Sequence, residues 1–473
     1  MKTKRTYKTV DVEQLDLQLL LSLMTVGCIV AIDVAKTKMV AAFANAAGEV
    51  LQLVRFEHPA QTPFFLQRLV DLRNAKLEPR VVMEPTGTYG DALRHQCHVR
   101  EIPVGMIPPK HTHDFAEVLD GVPSMHDAKA AVVLARLAAM KPPTAWVPDN
   151  DTKREMRARL DQRAPLSLTI ALYHGHLEAM LARHWPEFGT HFDVHVSRSS
   201  LTLLQQFAGP EAVSAASSEA AATLRTASRK RYSNEFVAAV IQSARTTLGV
   251  PMVPAEQAKL CAIVTQIAHA QQQLDALDAT LKEEVDKDEE MSSLARVVGP
   301  ACAAALVGRL GSLREFKNAG AVEKALGLNL KERSSGETKG ALHITKRGPG
   351  QVRQLLYLAV LRLIQSDPIV AAWYRGRKGY REEKGKQKAV VAVMRKIASA
   401  LFHVARGATF DPTKLFDVRR LDLSAHAPDA KASDKTSPVA STDTSATRGA
   451  SSTRKGARSQ KPHSKGVNAQ QRA

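Results

Sequence analysis

Three apolar runs, CIVAIDVA (28–35), KMVAAFAN (38–45) and EVLQLVRFEH (49–58), follow one another with only short breaks at 36–37 and 46–48. Each is short and rich in strand-forming residues. Strands at this spacing form an antiparallel meander. Beyond them the pattern alternates. A helical segment at about 61–76 is followed by a strand in RVVMEP (80–85), a helical TYGDALRHQCH, a strand in IPVGMIPP (102–109) and a strong helix in HDAKAAVVLARLAAM (126–140). A meander continued by alternating helix and strand implies an α/β sheet of mixed strand order.

The rest of the chain reads as helix. KPPTAWVPDN (141–150) is a proline-rich break, and residues 151–185 have helical spacing with abundant charge. Residues 190–250 are rich in Ala, Ser and Leu and poorly patterned, whereas 255–289 have the spacing of one long amphipathic helix. The two long segments are expected to pair as an antiparallel coiled coil. Residues 292–418 read as a second compact helical unit. From about 421 the composition collapses to small, polar and charged residues, with nine Lys or Arg against four Asp, which predicts a disordered basic tail. The expected fold class is therefore α/β plus all-α. Its divisions are a leader (1–27), an α/β domain (28–145), a helical coiled-coil linker region (146–290), a C-terminal helical domain (291–418) and a tail (419–473).

Charge narrows the partners. The chain has 473 residues and a formal net charge of +19. A balance this basic points to a polyanion, most simply nucleic acid. No apolar run approaches the roughly 20 residues that a spanning helix needs, so no membrane segment is expected. Leu19 to Val34 is interrupted by polar residues and lacks a small-residue cleavage site, so a signal peptide is not expected either. Cys28, Cys97, Cys261 and Cys302 form no CxxC pair and read as reduced thiols of a cytoplasmic protein. His174, His176, His184, His191 and His195 are not spaced as metal ligands and read as surface or core histidines.

Two groups of residues carry chemistry. Asp33 lies inside an apolar strand, where a carboxylate is costly unless it meets a cation. Glu84 closes a second strand and Asp127 opens a helix. Separately they read as a strand-edge acid, a loop acid and a helix first-turn acid. Gathered at one end of a sheet they would make the oxygen-only set that suits Mg²⁺. In LKERSSGETKGALHITKRGPGQVRQLL (330–356), Ser334, Ser335 and Gly336 lie among Arg333, Lys339, Lys346, Arg347 and Arg353. Alone, Ser-Ser-Gly is an ordinary turn. WYRGRKGYREEKGKQKAV (373–390) mixes aromatic and basic residues, so Arg375, Arg377 and Lys378 are candidate nucleic-acid contacts.

These stretches carry a resemblance. VAIDVAKTKMVAAFANAAGEV, VVMEPTGTYG and PSMHDAKAAVVLARL resemble the RuvC-like DEDD domain, of RNase H-like fold, of an insertion-sequence transposase family whose members act as bridge-RNA-guided recombinases. The run from VVGPACAAALVG through QVRQLL, continued by KQKAVVAVMRKIASALFHVARG, resembles the family's C-terminal transposase domain. The resemblance implies a Mg²⁺-assisted DNA transposase or recombinase with metal ligands and catalytic acids at Asp33, Glu84 and Asp127. Ser335 would be the nucleophile of a composite centre, with Arg333, Lys339, Lys346, Arg347 and Arg353 holding the DNA backbone. It further implies DNA partners (element ends and target), a structured guide RNA, a homodimer or homotetramer built through the linker helices, and a bacterial, nucleoid-associated location. The family's fourth acid falls on Ala130. A shift of three residues would instead make Asp127 the fourth acid and leave Ser124 where the third is expected. A DEDD domain alone would equally suit a Mg²⁺-dependent junction endonuclease, and Ala130 would suit a remnant that binds nucleic acid without cutting it.

Overall fold

The computed structural model describes residues 7–24, 27–85, 87–122, 124–195, 197–332, 342–377, 380–382 and 384–423. Ser334, Ser335, Gly336, Arg333, Lys339, Lys378 and the tail from 424 lie outside the described residues. The chain divides into two compact units at Asn150/Asp151.

The first unit is built on a seven-stranded sheet. In chain order its elements are β1 (Val10–Asp11), α1 (Leu17–Leu23), β2 (Cys28–Asp33), β3 (Lys38–Ala44), β4 (Val50–Glu57), α2 (Thr62–Asn74), β5 (Pro79–Met83), α3 (Asp91–Val99), β6 (Val104–Met106), α4 (Pro109–Asp120), α5 (Asp127–Met140) and β7 (Thr144–Ala145). The strand order is β1-β4-β3-β2-β5-β6-β7. β2, β3 and β4 are the expected antiparallel meander, while β2-β5 and β5-β6 are parallel, so the sheet is mixed. Side chains alternate across a strand, and β2 shows it. Cys28, Val30 and Ile32 join the core under α1, α2 and α3. Ile29 and Ala31 join the core under α5. Within the stretch expected as a leader, residues 10–24 pair and pack with this unit. Val10–Asp11 pair in parallel with Val54–Arg55, and Val12, Leu20 and Met24 are buried in the core beneath the sheet.

The second unit is helical. Its elements are α6 (Asp151–His184), α7 (Phe188–His191), α8 (Arg198–Gln206), α9 (Pro210–Ala215), α10 (Ser217–Ala227), α11 (Asn234–Arg245), α12 (Pro254–Lys287), α13 (Glu289–Val298), α14 (Pro300–Leu310), α15 (Ala319–Ala325), β8 (Leu330–Lys331), β9 (His343–Ile344), α16 (Gly350–Ser366), α17 (Pro368–Arg375), α18 (Gly385–Val404) and α19 (Pro412–Leu415). α6 and α12 each run 34 residues, roughly 50 Å at 1.5 Å per residue, and pack along one another as expected. Arg163 grips Asp278 with two hydrogen bonds of 2.8 and 3.1 Å and so fixes their register. At one end of the pair, Met156, Leu160, Leu277, Leu281 and Val285 enter the core formed by α13 to α18. At the other end, α7 to α11 make a separate core around Trp185, Phe188 and Phe192. The poorly patterned stretch 190–250 is thus folded as short helices that share this core. Among the described residues no single helix is long and apolar enough to cross a membrane.

Candidate active site

The sheet places two acids side by side. Ile32 of β2 is in register with Met83 of the parallel neighbour β5. The next residues, Asp33 and Glu84, therefore stand together at the carboxyl ends of these strands. Alternation sends them to one face: Ile29 and Ala31 on β2, and Val82 on β5, face α5, so Asp33 and Glu84 are in phase with that side. Asp127 is the first residue of α5, the helix that covers this face. Burial pushes the Asp33 carboxyl up to about 6, helped by the charge of Asp127 and then of Glu84. Asp33 therefore lies within electrostatic reach of both other acids. Among the described residues no three such side chains converge as a metal cage. The donor chemistry nevertheless fits: three oxygen ligands suit a hard divalent cation, and their repulsion is what such a cation relieves.

A brace sets the start of α5. His126 is the N-cap, and its Nδ1 accepts a hydrogen bond from the Lys129 backbone N–H at 3.2 Å. Lys129 is 1% exposed, and its Nζ donates to Asp120 Oδ1 at 2.7 Å and to the Val122 carbonyl at 2.6 Å. The Lys129 ammonium, with the Val122 N–H that donates to the same Asp120 oxygen at 3.0 Å, holds the Asp120 carboxyl below its usual range. The Tyr7 hydroxyl donates to the other Asp120 oxygen at 3.1 Å, and its ring meets His126 edge-on at 5.2 Å. The first turn of α5 is thereby tied to α4 and to the chain before β1. Sequence reasoning missed Tyr7 and Asp120. The available signal was the lysine within the apolar run of α5, which demands a buried anion. Ala130 follows one turn after Asp127 and is 7% exposed, and its N–H bonds the His126 carbonyl at 2.9 Å. A methyl group stands where the resemblance expects the fourth carboxylate.

In the second unit the serine-bearing segment is framed at both ends. β8 and β9 pair antiparallel, Leu330 with Ile344 and Lys331 with His343. Ser335 lies in the connection between them. Behind the frame two glycines bring the backbones together. Gly327 (φ +69°) has no room for a Cβ, which would stand 2.1 Å from the Arg347 carbonyl oxygen. Gly348 (φ +114°) would place its Cβ 2.0 Å from the Ala325 carbonyl oxygen. The Lys346 N–H donates to the Gly327 carbonyl at 2.9 Å across this approach. Lys346 and Arg347 are exposed. Arg353 instead donates to the Leu326 and Gly348 carbonyls, at 3.1 and 2.8 Å, and clamps the frame. Farther on, Arg375, Arg377, Tyr380, Arg381 and Glu382 line a cleft of about 480 Å³. The Arg377 guanidinium lies over Trp373 at 4.7 Å. Arg375 keeps a buried Nη2 with no hydrogen-bond partner among the described residues.

The mixed seven-stranded sheet with its covering helices is consistent with a RuvC-like DEDD fold. Comparison with known proteins agrees. Residues 30–186 match the DEDD transposase domain of IS110 elements, described as Transposase. Residues 295–375 match the Transposase IS116/IS110/IS902 family. The chain belongs to the IS110/IS116 transposase family, with the DEDD domain in its N-terminal part. It is 32% identical over 83 residues to a pilin gene-inverting protein of Moraxella bovis, covering 18% of this chain and 26% of that one. It is 25% identical over 268 residues to the insertion element IS116 uncharacterized 44.8 kDa protein of Streptomyces clavuligerus, covering 54% and 64% respectively. In both cases the match spans less than two thirds of the relative.

Proposed function

We propose that the chain is a DNA transposase or recombinase in which Asp33, Glu84 and Asp127 of the first unit and Ser335 of the second serve one strand-transfer reaction. The observation that carries this reading is the gathering of three acids on one face of the first sheet, in a chain whose second unit matches the transposase family in the expected order. Relatives named for inverting a pilin gene and for an insertion element agree with a rearrangement of DNA. The Ser335 hydroxyl loses its proton and Oγ attacks the scissile phosphorus, and the displaced sugar oxygen leaves and takes up a proton. A phosphoserine ester joins protein to DNA, and reversal on a second strand completes exchange. Lys346 and Arg347, with Arg333 and Lys339, neutralise the phosphate as charge builds on it. Arg375, Arg377 and Lys378 hold the backbone farther along. Asp33, Glu84 and Asp127 would hold a divalent cation, Mg²⁺ by their chemistry, which when bound supplies Lewis-acid polarisation of the phosphate. A structured RNA selecting the DNA by base pairing, and a homodimer or homotetramer formed through α6 and α12, complete the reading.

The test is adduct trapping on labelled DNA followed by a denaturing gel. Ser335→Ala is expected to abolish the adduct while DNA binding stays near normal. An undiminished adduct refutes the assignment, and loss only in Ser334→Ala moves it by one residue. Ala130 favours one second reading, a copy that binds nucleic acid without cutting it. An absence of adduct and of cleavage in the natural chain would select it.

A further inference from the structure

Between the two matched stretches lies a helical hairpin, α10 and α11, whose cations make no ion pair among the described residues. From Ser217 to Val250 the sequence has five cations, Arg225, Arg229, Lys230, Arg231 and Arg245, against two acids, Glu219 and Glu235. All five cations are exposed. Several arginines elsewhere in this unit take carboxylate partners, as Arg163 does with Asp278, Arg198 with Asp275 and Arg395 with Glu323. On the hairpin, among the described residues, Arg225 bonds the neutral Asn234 at 3.3 Å and Arg245 the neutral Ser217 at 2.9 Å. Arg229, Lys230 and Arg231 form the turn between the helices and make no ion pair among the described residues.

The turn is shaped to present these charges. Arg229 (φ +52°) and Lys230 (φ +62°) are both left-handed, a conformation that glycine or asparagine adopts more readily. The Lys230 N–H closes on the Arg225 carbonyl at 2.8 Å, the helix-ending bond usually made around glycine. A strained position filled by a cation points to a use for the cation. Beside the turn, α10 and α11 flank a groove of about 590 Å³ with Arg225 and Arg245 on its walls. The hairpin offers no stacking platform: Tyr232 packs back on Phe236 and Phe192, at ring distances of 4.6 and 6.0 Å. Cations without stacking aromatics favour a duplex held by its phosphates over a single strand held by its bases.

We infer that the α10–α11 hairpin is a second nucleic-acid contact, binding the phosphate backbone of duplex DNA independently of sequence. This inference rests on the reading of the chain as a DNA-acting protein. It assigns the intervening segment the role of holding DNA flanking the reacting phosphate.

The test uses the full chain and short DNA duplexes of unrelated sequence, with binding followed by fluorescence anisotropy across a salt series. The variant combines Arg229→Asn, Lys230→Asn and Arg231→Gln, in which asparagine tolerates the left-handed backbone. Each lost phosphate contact lowers the slope of log affinity against log salt by about 0.9. The triple variant is therefore expected to lose roughly two to three from the slope and about tenfold or more in affinity at low salt. Lys282→Gln is the control, because Lys282 already pairs with Asp286 at 2.9 Å, and it should leave the slope unchanged. An unchanged slope in the triple variant, with the natural chain binding DNA, overturns the inference and leaves the proposed function standing. A natural chain that binds no DNA overturns both. A slope that falls for an RNA duplex and not for DNA overturns the inference in favour of an RNA contact.

Discussion

Asp33 costs stability for the sake of its site, and the cost is measurable. Its carboxyl is raised from 3.8 to about 6 by burial and by the neighbouring acids. The folded chain therefore keeps a proton that the unfolded chain has released between these two values. Stability linked to protonated Asp33 is fully present below about pH 4 and is lost as pH rises through about 6. Asp33→Asn cannot ionise. Without divalent cation it is expected to be more stable than the natural chain at pH 7 by about 1 to 2 kcal/mol, a figure reduced for solvent screening of a partly exposed group. The gain should vanish near pH 4, and strand cleavage should be lost at every pH. Denaturant unfolding at several pH values checks this, and a stability difference that ignores pH would contradict the clustering of the acids. Ala130 gives the converse case. Ala130→Asp adds a carboxylate at i+3 from Asp127, on the same helix face. Cleavage should then reach half-maximum at lower Mg²⁺ and run at least as fast as in the natural chain. If a Mg²⁺ titration shows that benefit only for Ser124→Asp, the family's third acid belongs at 124 and Asp127 is the fourth.

Elements were legible where burial imposes a period. β2, β3, β4 and α5 match the expected segments within a residue or two, because their apolar residues must face a core on a fixed spacing. β1 has two residues and so no period to read; its place comes from pairing with β4. The run 102–109 read as one strand because it is apolar throughout, yet β6 has three residues and Pro109 opens α4 after two intervening residues. Short Ala- and Ser-rich helices at 198–245 escaped because each has only a few buried positions, and their common core becomes visible only when they are assembled. The acids at 33, 84 and 127 were legible as residues, and their shared face followed from strand alternation, whereas the buried bond from Lys129 to Asp120 depends on tertiary contact. The frame around the serine segment makes an element-scale prediction. Gly348→Ala puts a methyl into the Ala325 carbonyl at a left-handed φ and should destabilise the second unit by roughly 2 kcal/mol or more. It should also suppress the adduct at temperatures where the variant remains folded, since Arg353 and β9 shift with the loop. Circular dichroism melting with adduct trapping measures both, and a folded variant with full adduct yield would show that the frame does not position the serine.

For the whole molecule, 66 Lys and Arg against 47 Asp and Glu set the manner of binding. Most of the excess lies before the tail: residues 421–473 have nine Lys or Arg and four Asp, so about five of the nineteen positive charges. Leu421 still packs on the core of the second unit, which makes 424 the place to cut. Removal of 424–473 deletes charge without deleting buried apolar surface from the described core, so thermal stability should be unchanged. Contacts from such a segment add through counterion release and carry no base readout. The truncated chain, having lost nine Lys or Arg and three Asp, is expected to bind unrelated duplex DNA more weakly and with a shallower salt slope, by no more than about six phosphate contacts at 0.9 each. Its adduct yield on cognate DNA at saturating concentration should match that of the full chain, because the acids, the serine frame and the arginine cleft all precede the cut. Anisotropy across a salt series, paired with adduct trapping at saturation, separates the two effects. An unchanged slope would mean that the tail does not touch nucleic acid, and a lost adduct at saturation would place part of the reacting machinery beyond residue 423.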